Sequence, residues 1–205
     1  MRDAAEAPDH RRLIGVASEQ GGYFTAAQAE ECGLSRPLLS HHSRAEGRFI
    51  RVRRAVYRVR DYPSAPREEV IAAWLAAGRD VAVVSHESAL DLLDLSDVVP
   101  DAVHLTVPRE KRHRRGMPGV RIHTTTRPVR PGEVVVRDGI RVTSAERSIA
   151  DAARAGTAPD QIVAAVAQAV ERGATTARRL LAVARERGGR VERLVRQALR
   201  PSERE

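Results

Sequence analysis

Residues 21–63 read GGYFTAAQAEECGLSRPLLSHHSRAEGRFIRVRRAVYRVRDYP, a pattern of two short helices followed by a basic hairpin. Thr25 and Gln28, three residues apart, form a capping box and predict the start of the first of these helices. Gly33 ends this helix, and Ser35 can cap the next one. The turn of about three residues between the two helices has the length found in a helix-turn-helix.

The helix after this turn is predicted over residues 35–46, and it has two different faces. Leu38 and Leu39 are expected to point toward a core, together with His42. The opposite face is short, polar and basic. In a helix-turn-helix such a face enters the major groove, where its first residues contact base edges and an arginine can bind guanine through two hydrogen bonds. The outward residues are Arg36, Pro37, Ser40, His41 and Arg44.

Residues 48–59 largely alternate apolar side chains with arginines around a bend near 53–55, and this alternation predicts a two-stranded hairpin. One face would be apolar and the other would carry arginines, as in the wing of a winged helix. Such arginines contact phosphates or a minor groove and add affinity with little sequence information. The alternative is an amphipathic hairpin on a small helical domain that binds a protein. The residues predicted to bind DNA are Thr25, Ser35, Arg36, Pro37, Ser40, His41, Arg44, Arg48, Arg51, Arg53, Arg54 and Arg58.

The distribution of charge favours the DNA-binding interpretation. The chain has 205 residues, with 35 basic and 27 acidic side chains, and a net charge of +8. A GC-rich genome could explain so many arginines, and a charged run is often only a solvated face. The positive charge is nevertheless concentrated in three segments: 36–60 at +7, 109–130 at +7 and 172–205 at +6. The first coincides with the predicted helix and hairpin, and the other two have no assigned role.

Length and composition exclude several classes of protein. A chain that is 42% hydrophobic can bury a core, which excludes a disordered polycation. No apolar run reaches the ~18 residues of a membrane span, and the acidic first ten residues lack the basic region of a signal peptide. We therefore expect a cytoplasmic protein that does not bind a membrane. The single Cys32 cannot form a disulfide within the chain, and no zinc-site spacing occurs, so no metal or cofactor is expected.

A proline-rich linker at residues 62–66 separates two predicted domains, 1–62 and 67–205. In the second domain, short apolar strands alternate with helices, and Asp138-Gly139 is a strong signal for a tight hairpin. The predicted fold class is therefore α+β, with an N-terminal winged helix-turn-helix followed by a small mixed-sheet domain and a helical C-terminal tail. The predicted strands of the second domain are 81–84, 103–107, 120–122, 134–137 and 140–142, and its last three helices are 159–172, 176–187 and 191–199.

Catalysis is not predicted for the second domain. A nuclease of the restriction type needs a Glu-x-Lys pair, but the position two residues before the only lysine, Lys111, is Arg109. Ser85 and His86 are adjacent, and neighbours in sequence rarely face each other, so Ser85 is interpreted as a helix cap. Neither a phosphate-binding glycine loop nor a dinucleotide fingerprint occurs. The protein is therefore not expected to be an enzyme.

The amino-terminal motifs resemble the winged-helix domain of the AbiEi-type antitoxins, the transcriptional-regulator half of type IV toxin–antitoxin systems. They are Gly22, Thr25, Gln28 and Ala29, then Gly33, Leu34 and Ser35, then Arg53, Arg54, Ala55, Val56 and Tyr57. Ala55 stands where the family usually has glycine. Later motifs are similar to the family's second domain, so that the resemblance covers roughly residues 11–172. They are 84–90, 103–108, and Val142-Thr143-Ser144-x-x-Arg147 followed by Ile149-x-Asp151.

The resemblance implies a DNA-binding antitoxin that represses its own operon, at an operator with inverted repeats. It also implies opposition to a nucleotidyltransferase-type toxin without a stable complex between the two proteins. Two other classes stay open from the residues themselves. One is a stand-alone transcriptional regulator or protein-interaction module without a toxin partner, and the other is a nuclease, which metal-dependent cleavage would reveal.

Overall fold

The computed structural model describes residues 7–64, 66–114 and 116–200. Contacts within the chain divide it into two compact units. The amino-terminal unit comprises the described residues up to Asp80 together with Asp138–Ile140. The carboxy-terminal unit comprises Val81–Arg137 and the described residues from Arg141 onward. Helices and strands occur in both, so the chain is α+β, as predicted.

The amino-terminal unit has the element order of a winged helix-turn-helix. Its elements are α1 (His10–Ser18), β1 (Tyr23–Thr25), α2 (Ala26–Glu31), α3 (Arg36–His42), β2 (Phe49–Arg53), β3 (Val56–Val59) and α4 (Glu68–Ala77). The strands form an antiparallel sheet in the order β1-β3-β2. Helices α1 to α3 share a core with one face of this sheet, where the rings of Phe24 and Phe49 meet edge to face at 4.9 Å. Cys32 is buried in the same core, as predicted.

The predicted capping box is confirmed at the start of α2. The Thr25 hydroxyl accepts a hydrogen bond from the Gln28 backbone N–H at 3.2 Å, and the Gln28 side chain accepts one from the Thr25 backbone N–H at 2.8 Å. These two bonds satisfy backbone donors that the first turn of a helix leaves without a partner. The local sequence alone therefore determines where α2 begins.

Helix α3 starts where predicted but ends four residues earlier, at His42 instead of residue 46. Ser35 is its N-cap residue, although the serine side chain makes no capping hydrogen bond. At the other end, the Ser43 hydroxyl donates to the Leu39 carbonyl at 2.7 Å. The backbone then folds back onto the helix, and a Cβ atom at Gly47 would lie 2.1 Å from the His42 carbonyl oxygen. Only glycine fits this turn, which terminates the helix.

Helix α4 packs on the opposite face of the same sheet. In the antiparallel register Tyr23 pairs with Arg58, so these two side chains share one face of the sheet. Both bond to Glu68, in the first turn of α4, at 2.9 Å and 3.2 Å. The second domain predicted from the sequence begins at residue 67 and would include this helix, but the contacts of α4 place it in the amino-terminal unit. Trp74 of α4 is 3% exposed and belongs to the core.

Among its described residues, the carboxy-terminal unit combines a mixed sheet with five α-helices. Its elements are β4 (Val83–Val84), α5 (His86–Leu92), β5 (Val103–Pro108), β6 (Val120–Thr125), β7 (Val134–Arg137), β8 (Ile140–Thr143), α6 (Ala145–Ala155), α7 (Pro159–Glu171), α8 (Ala177–Arg187) and α9 (Gly189–Ala198). The strand order is β6-β5-β4-β8-β7. Strand β5 is parallel to β6, and β4 is parallel to β8 but antiparallel to β5. The mixed sheet and helical tail follow the prediction.

Two local predictions in this region have different outcomes. Asp138 and Gly139 adopt φ of 50° and 76°, the left-handed pair that a two-residue hairpin turn requires. Thr143 and Glu146, three residues apart, also have the sequence of a capping box, but this prediction is wrong, because the N-cap of α6 is Ser144. The Thr143 hydroxyl lies instead 2.7 Å from the Ser148 hydroxyl in the interior.

Helices α5 to α9 enclose the larger apolar core of the carboxy-terminal unit. Its large members with at most 5% exposure include Leu90, Ile149, Ile162, Val166, Leu180, Leu194 and Val195. Within the described residues, no helix is both long enough and apolar enough to cross a membrane.

Candidate functional site

The exposed face of α3 is the one that the sequence predicts. Leu39 is 1% exposed and Leu38 is half-buried, so the apolar side of the helix packs on the core. The predicted outward residues are all exposed: Arg36, Pro37, Ser40, His41 and Arg44. Ser35, directly before the helix, is exposed as well. Their DNA contacts stay a prediction, but the surface is available for them.

Arg36 already has an acidic partner in the protein. Its Nε donates to a Glu30 carboxylate oxygen at 2.7 Å, and this bond raises the pKa of Arg36. The Arg36 side chain is 82% exposed, so water competes strongly with this ion pair. Arg36 can therefore exchange Glu30 for a guanine or a phosphate at small cost.

The hairpin of β2 and β3 carries further exposed arginines beside α3. Arg51 and Arg54 are exposed on β2 and in the turn, and Arg48 is exposed directly before β2. Arg53 is half-buried, and the register of the two strands shifts between Arg51 and Arg53. The wing predicted from the alternation is present, and a surface lined by α3 and this hairpin is basic. Below we call this surface the α3–wing surface, made of Arg36, Ser40, His41, Arg44, Arg48, Arg51 and Arg54.

The turn of the wing contains an alanine in a conformation that favours glycine. Ala55 has φ of 58°, and its carbonyl oxygen accepts a hydrogen bond from the Ala26 backbone N–H at 2.9 Å. A left-handed backbone brings Cβ close to the next carbonyl oxygen, a clash that glycine avoids. The tight turn therefore forms without the glycine usual in the family that the motif resembles, at a cost in strain.

We expect Ala55→Gly to raise the free energy of unfolding by roughly 0.5–1 kcal/mol, because relief of the strain exceeds the added flexibility of the unfolded chain. Urea unfolding of the full chain, followed by circular dichroism, measures this change. Ala45→Gly is the matched control, since Ala45 is exposed and outside the left-handed region. Equal destabilisation by both substitutions would contradict the strain argument.

Arg58 is not part of the exposed arginine face, in contrast to its prediction as a DNA-binding residue. It is 9% exposed, and its guanidinium lies on the sheet face that α4 covers. One terminal nitrogen donates to the Tyr62 carbonyl at 2.6 Å and to the Glu68 carboxylate at 3.2 Å. The sequence pattern missed this because both faces of the small sheet are covered. Alternation alone cannot distinguish an arginine exposed to solvent from one beneath a helix.

Tyr23 completes this buried group. The Tyr23 hydroxyl donates to the second Glu68 carboxylate oxygen at 2.9 Å, and the Arg58 guanidinium carbon lies 5.8 Å from the Tyr23 ring centre. Burial, together with the bond to Glu68, raises the pKa of Tyr23 to about 12. The phenol therefore remains a neutral donor at physiological pH, and Arg58, Glu68 and Tyr23 hold α4 on the sheet.

Arg60 has a positioning role that no sequence pattern indicates. Its Nε donates to the Gly47 carbonyl at 2.5 Å and a terminal nitrogen donates to the Arg44 carbonyl at 3.3 Å. Both acceptors lie in the turn between α3 and β2. Arg60 thus fixes the wing relative to α3. Thr25, also predicted to bind DNA, is half-buried and its hydroxyl is engaged in the α2 cap.

The carboxy-terminal unit contains a basic pocket that sequence analysis did not identify. A cavity of about 410 Å³ is lined by residues of α5, β5, β6, α6 and α8. Asp151, 5% exposed, lies at its base and binds Arg147 at 2.5 Å and Arg187 at 3.3 Å. Arg147 also binds Glu133 at 3.1 Å. Burial by itself lowers the pKa of Arg147, but the Asp151 and Glu133 carboxylates outweigh this effect and raise it.

Three histidines meet beside this pocket, and two of them, His86 and His123, line it. His86, His104 and His123 come from the start of α5, from β5 and from β6, and their nearest ligand atoms all lie within 4.8 Å of one another. Burial and the neighbouring histidines lower the pKa of His86 to about 2, and burial lowers that of His123 to about 4. Burial also lowers the pKa of His104. All three rings are therefore neutral at physiological pH.

Ser85 and His86 face each other, contrary to the prediction for this adjacent pair. The Ser85 hydroxyl lies 2.9 Å from His86 Nδ1 and accepts a hydrogen bond from the Thr106 hydroxyl at 2.8 Å. Ser85 is the N-cap residue of α5, as predicted, but its side chain makes no capping bond. Because Ser85 is 0% exposed, no substrate can reach its hydroxyl. The pair supports the fold and lacks the access that a nucleophile needs.

The basic segments 109–130 and 172–205 differ in how many of their side chains bind other residues of the protein. Residues Arg109–Arg114 form a short 3₁₀ helix, and the side chains of residues 112–115 lie outside the described part of the chain. In the tail, Arg190 donates to the carbonyls of Ala153 and Thr157, and Arg196 pairs with Glu192 at 2.8 Å. Arg196 is exposed on α9, whereas the half-buried Arg190 ties the start of α9 to the end of α6.

Comparison with known proteins adds two findings. Residues 11–60 match the family model of transcriptional regulators described as AbiEi antitoxins. The predicted resemblance is confirmed for this segment, and its extension to residue 172 stays a prediction. No curated protein matches the chain. The fold is similar to the crystal structure of the RV2827C protein from Mycobacterium tuberculosis, with a TM-score of 0.58, 15% identity, and coverage of 92% of this chain and 75% of that chain.

Proposed function

We propose that this chain, whose residues 11–60 match the AbiEi family of transcriptional regulators and antitoxins, binds double-stranded operator DNA and represses its own transcription in the cytoplasm. One observation carries the proposal. The α3–wing surface lies inside the matched segment and presents five exposed arginines: Arg36, Arg44, Arg48, Arg51 and Arg54. A polar, basic helix face next to a basic hairpin suits a major groove with flanking phosphates.

The roles within this surface follow from position. Arg36 and Ser40 occupy the first two turns of α3, where side chains reach base edges, and Arg44 follows the helix. Arg48, Arg51 and Arg54 are proposed to bind phosphates or a minor groove. An operator with inverted repeats has two half-sites. We therefore propose that two copies of the chain bind one operator.

Binding to the protein's own upstream DNA tests this function. We expect the full chain to bind that DNA roughly 10³-fold or more tightly than a scrambled duplex of equal length, with affinity falling steeply as salt rises. Gel shift and fluorescence anisotropy at several salt concentrations measure both quantities. Equal affinity for the two duplexes would reject an operator-specific repressor, and absence of binding at low salt would favour a protein-binding winged helix.

We further propose an antitoxin role against a nucleotidyltransferase-type toxin, which rests on the family match. The test is co-expression of the full chain with a nucleotidyltransferase encoded next to it. Rescue of growth by the chain supports the role, and rescue that persists after replacement of Arg51 and Arg54 assigns it to residues other than the wing. Toxicity that the chain does not relieve, or the absence of such a neighbouring gene, would favour a stand-alone regulator.

A further inference from the structure

The three histidines of the carboxy-terminal unit come together through the topology of its sheet. Strands β5 and β6 are parallel, and Thr106 pairs with His123. His104 lies two residues before Thr106, so His104 and His123 point to the same face of the sheet. His86, the first residue of α5, joins them there. Because the three are 18 and 19 residues apart in sequence, no short spacing motif reveals the cluster.

In His86 and His104, one ring nitrogen lies near an oxygen atom of a neighbouring side chain, and the other ring nitrogen is available to the cluster. His86 Nδ1 lies 2.9 Å from the Ser85 hydroxyl, which leaves its Nε2 for a ligand bond. His104 Nε2 lies 3.8 Å from an Asp101 carboxylate oxygen, and His104 Nδ1 lies 3.3 Å from His123 Nε2. Metal-binding histidines typically donate their second N–H to such a carboxylate or hydroxyl, which fixes the ring orientation.

His104 also carries an unused polar atom in the interior. The residue is 2% exposed, and its Nε2 is buried without a hydrogen-bond partner among the described residues. Buried polar atoms almost always have partners, and an exception calls for an explanation. An ion on His104 Nδ1 would polarise the ring and favour approach of the Asp101 carboxylate, now 3.8 Å away, as the hydrogen-bond acceptor of Nε2–H. Glu87 lies close to this pair and adds negative charge.

The backbone at His86 is unusual as well. His86 adopts φ of 54°, in the left-handed region, at the first position of α5. Strained residues of this kind cluster at functional sites, where the fold holds a side chain in a required position. Here the conformation places the His86 ring 3.5 Å from the His123 ring, with the planes inclined by 16°.

The stacked rings of His86 and His123 would have to move before one ion could bind both. Nitrogen lone pairs lie in the ring plane, so two nearly parallel rings cannot both point at one ion until one ring turns. Bonds of ~2.1 Å in a tetrahedral site place the nitrogens ~3.4 Å apart. The His104 to His123 distance of 3.3 Å already meets this requirement. The remaining adjustment is a rotation of the His86 ring at a wall of the open pocket.

We propose that His86, His104 and His123 form a site for one divalent transition-metal ion of the Zn²⁺ type. Three imidazoles suit Zn²⁺ and Co²⁺, and they leave a fourth position for an exchangeable ligand. His86 and His123 also line the pocket that contains Arg147, Arg154 and Arg187, whose charge favours an anionic fourth ligand. This site is independent of the DNA-binding function proposed above.

Cobalt titration of the full, tag-free chain after treatment with a chelator tests the site. We expect one Co²⁺ per chain, with the visible absorption of four-coordinate Co²⁺ and displacement by Zn²⁺. His123→Phe keeps a ring stacked on His86 but removes the ligand nitrogen, and it should weaken binding at least ~100-fold. Asp101→Asn removes the supporting carboxylate and should weaken binding by ~10- to 100-fold.

His10→Phe is the matched control, because His10 is a half-buried histidine at the start of α1, in the other unit. It should leave cobalt binding unchanged. Thermal unfolding of each variant shows whether the fold is retained, and His123→Gln replaces His123→Phe if the latter does not fold. Absence of stoichiometric Co²⁺ binding to the parent chain, or binding that survives both His123 and Asp101 substitutions in folded protein, would overturn the proposal.

Discussion

Replacement of both Arg51 and Arg54 by alanine should lower the affinity of the chain for its operator by roughly 30-fold at 0.15 M salt. Both arginines are exposed on the wing. Each phosphate contact releases about one counterion, so loss of two contacts also reduces the slope of log K against log salt by about 2. The loss should be similar for operator and scrambled DNA, because phosphate contacts carry no sequence information.

The matched control for this double variant is Arg178→Ala with Arg193→Ala. These two arginines are exposed on α8 and α9 of the carboxy-terminal unit, and their loss changes the net charge by the same amount. We expect an unchanged salt slope for the control. Anisotropy titrations at four salt concentrations compare the variants. An identical slope for the wing variant and the parent chain would show that the wing does not contact DNA.

Replacement of Arg58 by methionine should lower the free energy of unfolding by about 3 kcal/mol. Methionine fills much of the volume of the arginine stem but leaves the Glu68 carboxylate without the guanidinium. It also removes the donor that binds the Tyr62 carbonyl at 2.6 Å. The side chains of Arg58 and Glu68 are 11% and 25% exposed, so solvent compensates little. Breaking a buried ion pair by removing one partner is among the more damaging single substitutions.

Arg51→Met is the matched control for Arg58→Met, since it removes the same group from an exposed position of the same hairpin. We expect its effect on unfolding to stay within about 0.5 kcal/mol. Urea unfolding, followed by circular dichroism and by Trp74 fluorescence, measures both variants. Similar stabilities for the two variants would contradict the structural role of Arg58. Arg58→Lys, which keeps the positive charge, should also destabilise the chain, because lysine cannot reproduce the spread of guanidinium contacts.

The sequence predicts those parts of the fold that depend on neighbouring residues. The cap of α2 needs only Thr25 and Gln28, and the β7–β8 turn needs only Asp138 and Gly139, so both are found where expected. The exposed face of α3 follows from a helical period in the same way. The end of α3 was missed because it depends on the approach of Gly47 to the His42 carbonyl, which no local pattern shows.

Features that depend on distant residues were the ones that sequence analysis missed. The local pattern predicts an exposed wing position for Arg58, because the helix that covers it begins ten residues later in the chain. The histidine cluster depends on the register of two parallel strands and on one helix start, so its members are far apart in sequence. Adjacent Ser85 and His86 meet at a point where His86 has a left-handed backbone, which a sequence pattern does not reveal.

The position of α4 has a consequence for how the amino-terminal module can be recombined with other proteins. The segment that matches the family model ends at residue 60, whereas Glu68, which neutralises Arg58 beneath the sheet, lies eight residues further on. A chimera joined at residue 60 would carry a cation over an uncovered sheet face. The unit that folds as a whole is therefore longer than the segment that matches the family model. A chimera that transfers this unit to another protein has to include α4 up to Ala77.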